Sequence, residues 1–199
     1  DVAQRVAVTV SEACARQAAH AASLRTALAT RPGARDASHW ARRFRAGSDE
    51  PLRILIPTTR LSTYGQHAAA DAADAFRALG CDARLLIEPD ASTKLSSVAF
   101  LHEIEAFDPD LVVLLNYTRS TLAKDLPRDV PLVTWVQDAM FHLFSDAAWA
   151  ARAPHDFVYG HLHRDFFDRF GVPRSHARPA FVPASEAKFH AASVDPETP

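Results

Sequence analysis

The chain has 199 residues, 48% of them hydrophobic and 23% charged, which suffices for one sizeable core and excludes a disordered polymer. Twenty-two Lys and Arg stand against 24 Asp and Glu, and the formal net charge of -2 excludes the basic footprint of a general nucleic-acid binder. Six glycines make up about 3% of the chain where soluble proteins average about 7%. None are spaced as in G-x-G-x-x-G or a P-loop, so neither phosphate-cradling turn is present.

Charge and composition change near residue 50. Residues 1–50 carry eight arginines against five acids, net +3, and residues 51–199 carry the remaining 14 bases against 19 acids, net -5. In the first part Val6, Val10, Cys14, Ala18, Ala21 and Leu24 recur near helical spacing, which predicts a helix over about 3–29, ended by Arg31-Pro32-Gly33. A second short helix over Ser38–Arg45 puts Trp40 and Phe44 on one face, and Gly47-Ser48-Asp49-Glu50 reads as a linker. Residues 1–50 are therefore expected to be a helical extension with its linker.

From Pro51 short apolar runs alternate with amphipathic stretches, the pattern of a parallel sheet with helical crossovers. Strands are expected at Leu52–Pro57, Arg84–Glu88, Leu111–Asn116, Pro131–Gln137, Phe157–Tyr159 and, as a sixth, Ala180–Pro183. Helices are expected at Gln66–Leu79 with Gly80 as its stop, from Ser96 or Ser97 to Phe107, through Ala139–Arg152, and over His163–Phe170 before Gly171. Six strands in about 135 residues define an α/β, doubly wound, mostly parallel Rossmann-like lobe over 51–190, with 191–199 as a tail or the start of an interlobe linker.

In such a lobe ligands bind at the loops that follow the strands. The first is Thr58-Thr59-Arg60-Leu61-Ser62-Thr63-Tyr64-Gly65, whose hydroxyls and Arg60 suit an anion or a sugar, or serve as a helix cap. The second, Asn116-Tyr117-Thr118-Arg119-Ser120, combines an amide, a phenol and a guanidinium, which suit carbohydrate; Asn116 equally suits local backbone satisfaction. The third runs Gln137-Asp138-Ala139-Met140-Phe141-His142. Asp138 there suits a proton acceptor for a hydroxyl nucleophile or a cap for the following helix, and His142 lies within a turn of it.

His161 and His163, with His155 and Asp156 nearby, invite a metal reading, but no third ligand is specified and no metal is expected. The two cysteines, Cys14 and Cys81, lie in no C-x-x-C, zinc or Cys/His pattern, which points to a reduced, cytoplasmic setting. No apolar run approaches the ~20 residues of a membrane span and no signal peptide is recognisable. A chain that starts at Asp1 and ends in a Pro-rich tail reads as a segment of something longer. A receiver-like signalling domain is excluded by Pro57-Thr58-Thr59, where an acidic pair would stand.

Three segments carry a family resemblance: the first strand with its polar loop, Phe107-Asp108-Pro109-Asp110-Leu111-Val112-Val113, and Val133-Thr134-Trp135-Val136-Gln137-Asp138. Together with Gly171-Val172-Pro173, the pattern over 51–190 resembles the N-terminal, acceptor-side lobe of GT-B glycosyltransferases, most closely CgeB-like and related family-4-like enzymes. The resemblance implies that Thr58–Tyr64, Asn116–Arg119 and Gln137-Asp138 border an acceptor cleft, and Asp138, by its place in the third loop, is the candidate base. It also implies that the nucleotide-sugar donor is held mainly by a second lobe, so the chain alone is expected to be inactive and needs no cofactor of its own. Many family-4-like enzymes have His-Asp where this chain has Gln137-Asp138. The expected acceptor is a carbohydrate or a protein. The alternative expectation is a non-catalytic α/β binding or docking module that contacts a partner, or a second copy, through residues 1–48.

Overall fold

The computed structural model describes residues 1–31, 35–45, 50–160 and 168–180. Six five- or three-residue strands form one sheet: β1 Arg53–Pro57, β2 Asp82–Leu86, β3 Leu111–Leu115, β4 Leu132–Val136, β5 Asp156–Gly160 and β6 Ala177–Pro179. All described neighbours pair in parallel in the order β2-β1-β3-β4-β5-β6. The fold is α/β, doubly wound and Rossmann-like. After β2 the chain crosses back over β1 to place β3 on its other side, so the direction of winding reverses between β1 and β3. In open α/β sheets that reversal opens a crevice at the carboxyl ends of the two strands.

Helices α1 (Val2–Ala29), α2 (Ala37–Arg43), α3 (Thr63–Ala78), α4 (Ser97–Phe107) and α5 (Asp146–Trp149) surround the sheet. Each starts where a short polar side chain accepts a first-turn amide: Asp1, Asp36, Ser62, Ser96 and Ser145. Alternation along the strands sorts the core into two layers. Leu55, Val112, Leu114 and Leu132 meet Ala21, Leu24 and Leu28 of α1 and Phe100, Leu101, Ile104 and Phe107 of α4. Ile54, Ile56, Val113 and Leu115 meet Ala69, Ala72 and Ala73 of α3 on the opposite face. A third cluster joins Val136 and Val158 to Leu143, Trp149, Phe170 and Val172.

Several expected boundaries move. Helix α3 begins at Thr63 rather than Gln66, because the Ser62 hydroxyl accepts from Gly65 N–H at 3.1 Å and draws Thr63, Tyr64 and Gly65 into the first turn. It ends at Ala78 with Leu79 as its cap, and Gly80, the expected stop, follows with a φ of +84° that suits a residue without a Cβ. The single helix expected through Ala139–Arg152 is replaced by a 3-10 turn at Phe141–Leu143 and the one-turn α5. Trp149 Nε1–H donates to Leu143 C=O at 2.7 Å, folding the segment back on itself. The sixth strand lies at Ala177–Pro179, three residues before the expected one, because Ala177 and Pro179 pair with Val158 and Gly160. Phe181–Pro183, residues 47–49 of the expected linker and most of the helix expected over His163–Phe170 lie outside the described residues. Gly160 is required where it stands: its φ is +139°, and a Cβ there would sit 1.9 Å from Val136 O.

The helical extension is only half an extension. Residues 2–20 of α1 are all exposed, whereas Ala21, Leu24 and Leu28 belong to the sheet's core. At the amino-terminal edge of the sheet, arginines from this first part converge on acids that precede β3 and β4. Arg43 Nε and Nη2 hold both oxygens of Asp110 at 3.0 and 2.7 Å. Arg35 grips both oxygens of Asp108, Arg31 bridges Asp108 and Asp129, and Trp40 Nε1–H donates to Asp129 C=O at 2.9 Å. Asp110 is 1% exposed and also accepts Arg53 N–H at 2.8 Å. Burial opposes its ionisation, but the Arg43 and Arg53 bonds outweigh that and hold its carboxyl below the usual carboxylate range.

Candidate functional site

The crevice between β1 and β3 gathers most of the polar residues expected there. Asn116 ends β3 with a left-handed φ of +56°, a conformation asparagine tolerates better than other side-chain-bearing residues. From it the side-chain Oδ1 reaches across to β4, accepting Gln137 N–H at 2.8 Å and Asp138 N–H at 3.4 Å. Its carbonyl lies 2.5 Å from His142 Nε2 and accepts from it, which places the proton on that nitrogen. The His142 ring stacks on Tyr117 with centroids 5.2 Å apart and planes 23° apart. The Tyr117 hydroxyl in turn lies 3.5 Å from Thr59 Oγ1. The three strand-end loops are thus cross-linked by one amide and one aromatic pair.

Asp138 is exposed and caps no helix; the next turn starts at Met140 without a side-chain cap, so of its two expected roles the capping one is not used. His142, within a turn of Asp138 in sequence, engages the Asn116 carbonyl. Tyr64, in the first turn of α3, is half exposed, and its hydroxyl ionises less readily than usual because of partial burial and the nearby Asp138 charge. Gln137 is 8% exposed and its Oε1 has no hydrogen-bond partner among the described residues; the same holds for Trp135 Nε1, two residues earlier on the same face. Buried polar atoms without partners are rare in folded proteins.

Other expected residues have different work. Arg119 is not at the crevice. Its guanidinium lies inside the domain, 3% exposed, with Nε and Nη2 on the two oxygens of Asp156 at 2.8 and 2.6 Å and its other hydrogens on the carbonyls of Leu126, Pro127 and Val130. Every direction in which it could greet a ligand is taken. Thr58 is 5% exposed and extends β1, its N–H on Leu86 C=O at 2.9 Å. Ser62 and Thr63 are helix-start residues. Arg60 folds back on the β2 side, with Nε donating to Glu88 C=O at 2.6 Å and Nη2 to Pro89 C=O at 3.3 Å.

Glu88 went unnoticed in the sequence, where it reads as the end of an apolar strand. It is 4% exposed, and its Oε2 accepts Arg60 N–H at 2.8 Å. A carboxylate after Leu85-Leu86-Ile87 is the signal that was available, since acids are seldom fully buried unless bonded. Around the crevice the chain exposes Phe141 at 94%, with Leu61, Met140 and Phe144 also uncovered, an apolar rim at the same edge. His161 and His163 lie outside the described residues, and Asp156 is committed to Arg119; among the described residues no group of three or more His, Cys, Asp or Glu is placed to hold a metal ion. Among those residues, likewise, no helix is long and apolar enough to cross a membrane.

Fold and crevice together define the class: a Rossmann-like α/β protein with its open polar site at the carboxyl edge of β1, β3 and β4. No protein-family model, no curated protein and no solved structure matches the chain.

Proposed function

We propose that this chain is the acceptor-binding lobe of a two-lobed, GT-B-type sugar-transferring enzyme, with the nucleotide-sugar held mainly by a second lobe. The observation that carries the reading is Gln137. It is a buried amide whose oxygen has no partner among the described residues, set at the carboxyl end of β4 beside a stacked Tyr117–His142 pair and an exposed carboxylate. Sugar hydroxyls satisfy such amides, and the aliphatic face of a sugar ring lies well against an aromatic rim. In this reading Gln137, Tyr117, Thr59 and Tyr64 hold the acceptor. Asn116 and His142 set the geometry of the loops, and Asp138 takes the proton from the attacking hydroxyl.

The base role is tested in a parent protein that carries both lobes. Asp138→Asn is expected to lower kcat by 100-fold or more with KM for the acceptor little changed; unchanged kcat removes Asp138 from the reaction. The isolated 199-residue chain is expected to bind acceptor without turning over a sugar nucleotide, since one lobe cannot enclose donor and acceptor and exclude water. Turnover by the isolated chain at ordinary enzyme rates contradicts the two-lobe reading.

A docking module is the second reading, favoured by one observation: nineteen consecutive residues of α1, 2–20, lack any buried side chain, and Val2, Val6, Val8 and Val10 are all more than half exposed. Removal of residues 1–16 spares every contact that α1 makes with the core at Ala21, Leu24 and Leu28. If that truncation leaves folding intact but turns an oligomer into a monomer in light scattering, α1 is a docking element; an unchanged number of chains per particle assigns it no such role.

A further inference from the structure

The edge of the sheet opposite the crevice holds a cavity of about 400 Å³ between the end of α1, Arg31, Arg35 and the loop before β4. That volume falls in the range of small-molecule sites. Four arginines line it, Arg25, Arg31, Arg35 and Arg128, against two aspartates, Asp125 and Asp129. Three of the four are held rigid. Arg25 is bidentate on Asp125 at 2.9 and 3.1 Å, and Arg31 and Arg35, only 16% and 12% exposed, share Asp108 behind the wall. Even with Asp108 counted, positive charge exceeds negative.

Two observations show donors left over. Arg31 Nε is buried and has no hydrogen-bond partner among the described residues. Arg128 has no carboxylate partner among them: its two terminal nitrogens donate only to the carbonyls of Ala151 and Arg152, at 3.4 and 2.7 Å, and its side chain sits exposed at the rim. Leu28, Ala29 and Pro127 supply an apolar wall beside the charged ones.

We propose that this cavity is a binding site for a small phosphate-bearing anion, with Arg128 as the rim anchor and Arg25, Arg31 and Arg35 as a fixed cationic floor. Guanidiniums approaching from several directions match the oxygens of a tetrahedral phosphate, and each carries hydrogens fixed in a fork. The apolar wall fits the uncharged part of an organic phosphate. This site lies at the amino-terminal edge of the sheet, so it is separate from the crevice, and it stands whether or not the crevice binds carbohydrate.

The test is calorimetric titration of the whole chain with pyrophosphate at low ionic strength. Saturable binding is expected, weakened about tenfold or more by Arg128→Ala, partly restored by Arg128→Lys, and unaffected by Gln137→Ala at the other edge of the sheet. Arg128→Ala should keep its circular dichroism spectrum and melting temperature, since it loses only two surface hydrogen bonds to carbonyls; Arg25→Ala serves as a second variant with the same expected weakening. Absence of binding, or binding indifferent to both Arg128→Ala and Arg25→Ala, overturns the proposal and leaves the arginines as partners of the aspartates alone. Citrate binding more tightly than pyrophosphate overturns the assignment to phosphate.

Discussion

The two edges of the sheet use similar residues in opposite ways. At the amino-terminal edge Asp108, Asp110, Asp129 and Asp156 each meet at least one arginine, and Asp110 and Asp156 also accept backbone N–H groups, so carboxylates that burial would penalise are fully compensated. At the carboxyl edge Gln137 Oε1 and Trp135 Nε1 are buried without partners among the described residues, Asp138 stands exposed, and Phe141 faces solvent. Paired carboxylates dominate the amino-terminal edge, where Arg31 Nε is the exception, and polar atoms left short dominate the carboxyl edge, where the proposed acceptor would bind. Arg119 teaches the same lesson within one loop: it follows β3, a place where open α/β sheets commonly bind ligands, yet it reaches inward to Asp156 and belongs to the first kind.

The comparison can be broken most forcefully at Arg119. Arg119→Ala leaves Asp156 buried without its counter-charge and is expected to cost about 3–5 kcal/mol in urea or thermal unfolding, whereas Arg60→Ala, at the open edge, should cost about 1 kcal/mol or less. Near-equal losses for the two would erase the distinction.

The next effect in size is the pH response of Asp110. Its folded-state pKa is depressed, so the stability it contributes is complete above the ordinary carboxylate range, near pH 4 for the unfolded chain, and drains away as pH falls through the lowered value. Stability measured between pH 5 and pH 2 should therefore fall, and Asp110→Asn, less stable at neutral pH, should show a shallower fall. An identical slope in the variant means that Asp110 is not among the groups that titrate.

At the open edge the expectation reverses. Gln137→Leu should leave stability unchanged or slightly raised, because a buried oxygen without a partner disappears, while acceptor affinity drops about tenfold, near 1.4 kcal/mol. A loss of 2 kcal/mol or more in stability would place Gln137 with the structural residues instead. The smallest effect belongs to the free part of α1. Truncation of residues 1–16 should alter stability by about 0.5 kcal/mol or less, because nothing in that stretch is buried.

Much of the fold could be read directly. Five of the six strands fall within a few residues of their apolar runs, and α4 begins at Ser97 after its Ser96 cap, because strand burial and capping are written in short stretches of residues. The segment after β4 could not be read that way: Ala139–Arg152 has helical composition, but the Trp149–Leu143 hydrogen bond, a tertiary contact, breaks it. In the candidate site, Asn116, Tyr117, Gln137, Asp138 and His142 were legible as polar residues at strand ends. What Arg119 does was not, because its partner is 37 residues away. Asp108 and Asp110 read only as part of the run into β3, and the arginines that turn those acids into a lock come from 55 to 77 residues away.

The sequence by itself determined the alternation of buried strands and capped helices, hence a parallel α/β sheet, since periodicity and caps act over one or two turns of chain. Only the tertiary structure decided which polar residues are spent on holding the molecule and which are left for a ligand. That division depends on whether a charge finds its partner across the fold, and a side chain's type does not say how far away its partner stands.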